Sequence, residues 1–454
     1  MITRHATAPL LALALALVSS GAIAQPANPK PPAARPPAAK PPAVKPAAPK
    51  AVAGEATAPA QAVLAFVGAT LHTGTGEIIE DGTVIVAQGK IREIGKAIAA
   101  PAGAQVIAAK GMVITPGFTD ALTSVGLVEI ELEDTTRDDH QGGKDRIRAG
   151  FRAVDGYNPA SSVIPVTRSE GVTSVGVIPV GGLISGQSAW ADMDGATAAD
   201  AIAAAPLALH VHLEGRDDEE GGRATAILRV REAFDDARTF AKTRASWERN
   251  QSRPFAPSRL DLEALTRALG GKLPVVFHVD RAADILSALA VAKEFELKPV
   301  IAGGAEAWKV APALAAAKVP VIVFPLISGP DSFDSVGGRA DNAALLHAAG
   351  VPLILATGDT SNTRKLRQVA GNAVRAGLPH SAAIAAITRA PAEALGLGAR
   401  YGTLAAGKTA NLVVWSGDPL EISTRVVQLV IRWQTVSRRT RQTALFEKYR
   451  RPTP

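Results

Sequence analysis

Short apolar runs alternate with longer amphipathic stretches through the middle of the chain. "LPVVFHV" (273–279) precedes "AADILSALAVAKEF", "KPVIAGG" precedes "AEAWKVAPALAAAK", and "VPVIVFPL" follows. "VPLILAT" (351–357) precedes "NTRKLRQVAGNAVRAG". The short runs are β-branched and bounded by turn residues, which predicts buried strands; the longer stretches predict helices. Upstream, Ile227, Val230, Phe234, Ala237 and Ala241 step by three and four along one helix face. Strand–helix units repeated over roughly 290 residues predict the α/β class, with a parallel sheet and helices outside it. That length favours closure as a (β/α)8 TIM-like barrel. An open doubly wound sheet is the other arrangement, but no Gly-x-Gly-x-x-Gly follows an early strand.

Both ends of this region change period. "AFVGATLHTG" and "DGTVIVAQGKIREIGK" alternate in the manner of strands, with turns at "GTGE", "EDGT" and "AQGK". A matching run, "YGTLAAGKTANLVVWSGDP" (401–419) and "VVQLVIRW" (426–433), lies near the other end. The expected organisation is a small composite β-sandwich from residues 61–111 and 402–437, bracketing a barrel over 112–401. Residues 438–454 form a basic C-terminal tail.

The N-terminal segments change the picture of location. Residues 1–24 carry no acidic side chain; Arg4 and His5 precede "APLLALALALV", and the run ends at Ala22-Ile23-Ala24. This is a secretory-signal pattern, too short for a comfortable membrane span, and the expected location is secreted or periplasmic. Residues 25–60 are rich in Pro and Ala, with Lys30, Arg35, Lys40, Lys45 and Lys50 at five-residue intervals. Such a segment predicts a stiff polyproline-II linker reaching on the order of 100 Å. It stands the folded part off a surface or touches an anionic cell-envelope polymer.

The charge balance belongs mostly to this leader. Leaving out the six cations and one glutamate of residues 1–55 lowers the formal net charge from +7 to +2, so no nucleic-acid partner is expected. There is no cysteine among the 454 residues. That removes disulfides, thiolate metal sites and a cysteine nucleophile.

"GKIREIGK" and "IAAKGMVITPGFTDALTSVGL", with "AAIAAITRAPAEALGLGARYGTLAAGKTANLVVWSGDPL", resemble the entry and exit of the amidohydrolase superfamily barrel. The likeness covers residues 61–437. The pattern resembles a degenerate, secreted, imidazolonepropionase-like branch that shares features such as "GGLISGQSA" and "IAGGAEAWKVA". The resemblance implies metal-assisted hydrolysis, with a metal-activated water and an aspartate that shuttles the proton. It implies ligands at His-x-His on the first strand, at single histidines on the fifth and sixth, and at Asp on the eighth. Carried across, the fifth-strand histidine is His278, and the eighth-strand carboxylate is Asp359, the implied catalytic residue. The first-strand pair has become Leu122 and Ser124 after Asp120, and the sixth-strand histidine has become Ala302 or Gly303, with Gly303 taken as the lost position. Two ligands do not hold zinc tightly.

"PLALHVHLEG" offers a replacement. A strand period of two puts Ala208, His210 and His212 on one face and Leu207, Leu209, Val211 and Leu213 on the other. With His278 and Asp359 this makes a zinc set; interior histidines satisfied by hydrogen bonds are the alternative. One divalent metal such as zinc, or none, remains open. The run "EIELEDTTRDDH" places Glu129, Glu131 and Glu133 on one face of a strand extension at the mouth, for a cation or cationic substrate. Gln187, in the glycine-rich "GGLISGQSA", is a second substrate-binding candidate. The sequence therefore points to an exported hydrolase of carbon–nitrogen (non-peptide) or related bonds in a small molecule. A metal-free binding protein or pseudoenzyme of the cell envelope is the alternative.

Overall fold

The computed structural model describes residues 63–143, 145–213, 221–326, 329–330, 332–432 and 434–450. The expected leader and the linker over 25–60 lie outside the described residues. Strands β1 (Leu64–His72), β2 (Ile78–Ala87), β3 (Lys90–Lys96), β4 (Gln105–Ala108) and β5 (Val113–Pro116) come first. They share one sheet with three late strands: β16 (Leu412–Trp415), β17 (Val426–Ile431) and β18 (Gln434–Val436). The join is antiparallel, β5 against β16, with Val413 opposite Thr115. Alternating burial follows from the strand period, so Phe66, Leu71, Val84 and Val86 pack with Ile114, Leu412 and Val414.

Two further sheets lie between. β6 (Phe118–Thr123) runs parallel to β7 (Val172–Val177), followed antiparallel by β9 (Ala189–Asp192) and β10 (Ile202–Ala204). β8 (Ile184–Gln187) is antiparallel to β11 (Leu209–His212). From β11, a parallel run passes through β12 (Pro274–Val279), β13 (Lys298–Gly303), β14 (Val321–Val323) and β15 (Leu353–Leu355). The molecule is thus a mixed α/β fold. The apolar runs are continuous because both faces of this parallel sheet are covered. One face, including Val275, Phe277, Val279, Ile301 and Leu355, packs against helices through Val230, Phe234, Leu265 and Ile285. The other, including Val276, Val300, Ala302, Ile322 and Ile354, forms a second apolar cluster.

Helix Arg223–Glu248 buries Val230, Phe234, Ala237 and Phe240, while Ala241 is exposed. The three-and-four stepping therefore fails at its last position. Phe240 offers more apolar surface to the same stripe, and the helical geometry breaks just beyond, at Thr243. At the last residue of β9, beside the N-terminal part of β7, Asp192 is almost wholly buried. Its carboxylate accepts from Ser174 Oγ, Asn411 Nδ2 and Tyr401 OH, tying β7 and β9 to the chain leading into β16. A buried carboxylate persists only when so satisfied.

Candidate functional site

A cavity of about 360 Å³ opens where the C-terminal ends of β6 and β7 meet the turn after β15. Its lining includes Leu122, Ser124, Glu131, Arg137, Asp139, Ile178, Val180 and Asp359. Convergence starts from a bulge. Asp120 pairs with Val175 and Thr123 with Val177, so Ala121 and Leu122 stand opposite Gly176 alone. The extra residue re-aims the end of β6 and brings Leu122 and Ser124, the positions expected to have lost metal ligands, to the cavity wall.

Asp359 is held rather than free. Its Oδ1 accepts from Asn362 N at 2.9 Å and its Oδ2 from Asn362 Nδ2 at 2.6 Å. Its carbonyl accepts from Thr123 Oγ1 at 2.9 Å and Thr363 Oγ1 at 2.6 Å, which fastens the turn to the end of β6. Arg137 donates to both oxygens of Asp139, at 3.4 and 3.3 Å. Glu131 Oε1 accepts from Ser361 N at 3.2 Å.

Beneath the wall lies a residue that sequence reasoning did not assign to the site. Asp120 is fully buried and accepts from Leu122 N, Thr357 N and Thr357 Oγ1. Burial pushes its carboxyl up to about 7, against the hydrogen bonds from Thr357 and Leu122 that favour the charge; nearby Asp359 adds to the rise. Two sequence signals marked it: a lone acid inside the apolar "GFTDAL", and its place in the resemblance, just ahead of Leu122 and Ser124.

The three strand histidines form a separate buried group. His210 Nδ1 and His278 Nε2 are 3.0 Å apart and share a proton, His212 stacks on His278 at 4.0 Å, and His212 Nε2 meets Ser185 Oγ at 3.1 Å. Burial lowers His210 to about 3 and His212 to about 4, and holds His278 well below the usual histidine range. All three rings are neutral at pH 7. His210 Nε2 is buried without a partner among the described residues. His210 and His278 share the sheet face of Ala208 and Val276. Leu207 joins that same apolar cluster rather than the opposite one, because it precedes β11 and the strand period does not govern it.

Several expectations require correction. The residue beside His278 on the same face is Ala302, its partner across β12 and β13; Gly303 pairs with Val279, whose side chain meets the helices. Gly303 has φ +87°, and a Cβ there would lie 2.7 Å from Asp280 Oδ1, so any side chain at that position is strained. The acidic run is a loop with a short 3₁₀ turn, not a strand. Its glutamates diverge: Glu129 Oε2 accepts from Ser162 N and Oγ, Glu133 caps Thr135, and only Glu131 reaches the cavity. Gln187 is buried away from it, donating to Ala149 O at 2.9 Å, because residues 146–152 pack on the "GGLISGQSA" segment.

The donor set does not fit the metal centre implied by the resemblance. Among the described residues, no group of three His, Asp or Glu side chains is placed to hold an ion. His278 is spent on His210, and both oxygens of Asp359 on Asn362. A catalytic zinc normally takes three protein ligands.

The amidohydrolase family model matches residues 263–444. The amidohydrolase tasK of Hapsidospora irregularis is 25% identical over 393 residues, covering 77% of this chain and 39% of that protein. The imidazolonepropionase of Caulobacter vibrioides is 27% identical over 384 residues, covering 77% of this chain and 91% of that protein. The chain thus spans about two fifths of the tasK protein and nearly all of the imidazolonepropionase. The crystal structure of an amidohydrolase from Thermotoga maritima MSB8 superposes with a TM-score of 0.76 at 28% identity. It covers 83% of this chain and 100% of that one.

Proposed function

The chain belongs to the amidohydrolase superfamily, and we propose that it is an exported hydrolase of that family. Its substrate is a small molecule with a carbon–nitrogen or related bond, held in the mouth cavity. One observation carries this reading: the ends of β6 and β7 and the turn after β15 converge on a cavity with Asp359 in its wall. In this reading β6 to β15 belong to a (β/α)8 barrel, whose active face is the one at the strand C-termini. The first sheet is then a composite domain built from both ends. The leader pattern of residues 1–24 supports export, and the regularly spaced cations of 25–60 suit an anionic envelope polymer.

Because the donor set does not fit a metal, no step is routed through one. Asp359 is the group that exchanges a proton with the ligand. Asn362 fixes its carboxylate, and Asp120 behind it resists a second negative charge near neutral pH. Replacing Asp359 by Asn keeps the side chain's shape and one of the two acceptor positions facing Asn362, and removes the proton acceptor. Turnover of a panel of small amides and ureas is expected to fall about 100-fold or more in Asp359→Asn, measured by product release at saturating substrate. Unchanged turnover would remove Asp359 from the chemistry.

A second reading, a metal-free binding protein, is favoured by the engagement of Asp359 and His278 with their own neighbours. Metal content of untagged, chelator-free protein by inductively coupled plasma mass spectrometry separates the cases. We expect no stoichiometric metal in either the natural protein or His278→Ala. About one zinc per chain, lost in that variant, would overturn the misfit argued above. Ligand binding without turnover of any amide or ester would select the binding protein.

A further inference from the structure

We propose that the mouth cavity recognises a small organic cation, a molecule with an ammonium, amidinium or guanidinium group on a compact apolar body. This rests on the reading of the cavity as the functional site. Four charged side chains line it: Glu131, Asp139, Asp359 and Arg137. Arg137 is matched by Asp139 in a two-point ion pair. Glu131 and Asp359 have no cationic partner among the described residues; each is held only by neutral donors, Ser361 N for Glu131 and Asn362 for Asp359. Two uncompensated carboxylates in a recessed wall favour a positive guest and repel a negative one.

A second, independent feature points the same way. Ser124 is only 7% exposed and lines the cavity, yet its hydroxyl makes no hydrogen bond among the described residues. Its oxygen is not one of the sealed, unpartnered side-chain atoms of the described residues, so it opens to the cavity and is available to an N–H donor on the guest. Leu122, Ile178 and Val180 supply the apolar wall. The volume, about 360 Å³, suits a guest the size of a substituted benzene. A bare metal ion suits it less, because the carboxylates are tied to separate backbone donors and do not close on one point.

The test is isothermal titration calorimetry of the full chain with three probes of nearly one shape: benzamidine, benzamide and benzoate. Benzamidine is expected to bind at least tenfold more tightly than benzamide, with benzoate weakest. Glu131→Gln should weaken benzamidine severalfold and leave benzamide unchanged. Ser124→Leu should abolish binding, and Val180→Phe, which fills the same space from the segment after β7, repeats that test should Ser124→Leu misfold. Benzoate or benzamide binding as tightly as benzamidine, but lost in the filled variants, sinks the charge proposal and leaves the cavity as the site. Benzamidine binding that neither filled variant touches sinks both. Failure of all three probes at millimolar concentration, or displacement of benzamidine by calcium in the same range, also overturns the proposal.

Discussion

Acidification from pH 7 to pH 4 is expected to cost the folded protein on the order of 3 kcal/mol or more of stability. The source is the buried group His210, His212 and His278. Burial lowers His210 to about 3 and His212 to about 4, with the His212 charge a further cause for His210. An unfolded histidine titrates near 6.5, so below that pH the unfolded chain takes up protons that the folded chain refuses. Stability is therefore full above pH 6.5 and is lost as the pH falls toward the depressed values. A single ring kept neutral down to pH 4 accounts for roughly 3 kcal/mol. The three rings touch, so their titrations are coupled and the total exceeds one such term but falls short of three.

Asp120 runs the other way. Its carboxyl is raised to about 7, so the stability it contributes is complete below pH 3.8 and fades as the pH climbs through 7. Between pH 4 and 6.5 the two slopes oppose, and three histidines outweigh one aspartate. Urea midpoints across pH 4 to 8 test this. Asp120→Asn should steepen the net acid limb by removing the opposing slope, and His210→Asn should flatten it. An acid limb indifferent to His210→Asn would mean the rings are solvated and titrate normally.

Replacing Gly176 by alanine is the second large effect, expected to destabilise the fold by about 3 kcal/mol. A Cβ at Gly176 would stand 2.1 Å from the Ala121 carbonyl oxygen and 2.9 Å from its carbon. Both are backbone atoms, so no flexible side chain can swing aside; β6 itself must move. The bulge at Ala121–Leu122 exists because β7 offers no side chain there. Its displacement should shift Leu122 and Ser124, so probe binding to the cavity should fall together with the urea midpoint. Gly142→Ala is the control, since a Cβ there meets nothing within 4 Å; a change within about 0.5 kcal/mol is expected. Equal midpoints for the two variants would show that β6 relaxes freely.

The order of strands and helices was legible in the chain wherever burial was two-sided. "PVVFHV" and "KPVIAG" read as strands because a covered parallel sheet is written as a nearly continuous apolar run, broken within "PVVFHV" only by His278, and each became one. The acidic run misled for the opposite reason. Alternation of Glu129, Glu131 and Glu133 with apolar residues has the strand period, but a period forms a strand only if a neighbouring strand supplies hydrogen bonds. Among the described residues none does, Leu132 stands almost fully exposed, and the glutamates go to three different donors, Ser162, Ser361 and Thr135. Gln187 lay outside prediction because its partner, the Ala149 carbonyl, comes from a segment with no marked pattern.

By itself, then, the sequence determined the alternation of strand and helix, the superfamily resemblance and the absence of histidine at Leu122 and Ser124. Local propensity, apolar period and residue identity are properties of the chain that need no partner. Only the tertiary structure decided that Ala302, not Gly303, stands beside His278, that the histidines bind one another, and that Asp120 is buried near neutrality. It also decided that Glu131, Ser124 and Asp359 share one cavity. Those outcomes depend on register between distant strands, and on which carboxylate finds a donor once water is excluded. Both are fixed by contacts between segments apart in the chain, 68 residues for His210 and His278 and 237 for Asp120 and Thr357, which no local pattern encodes.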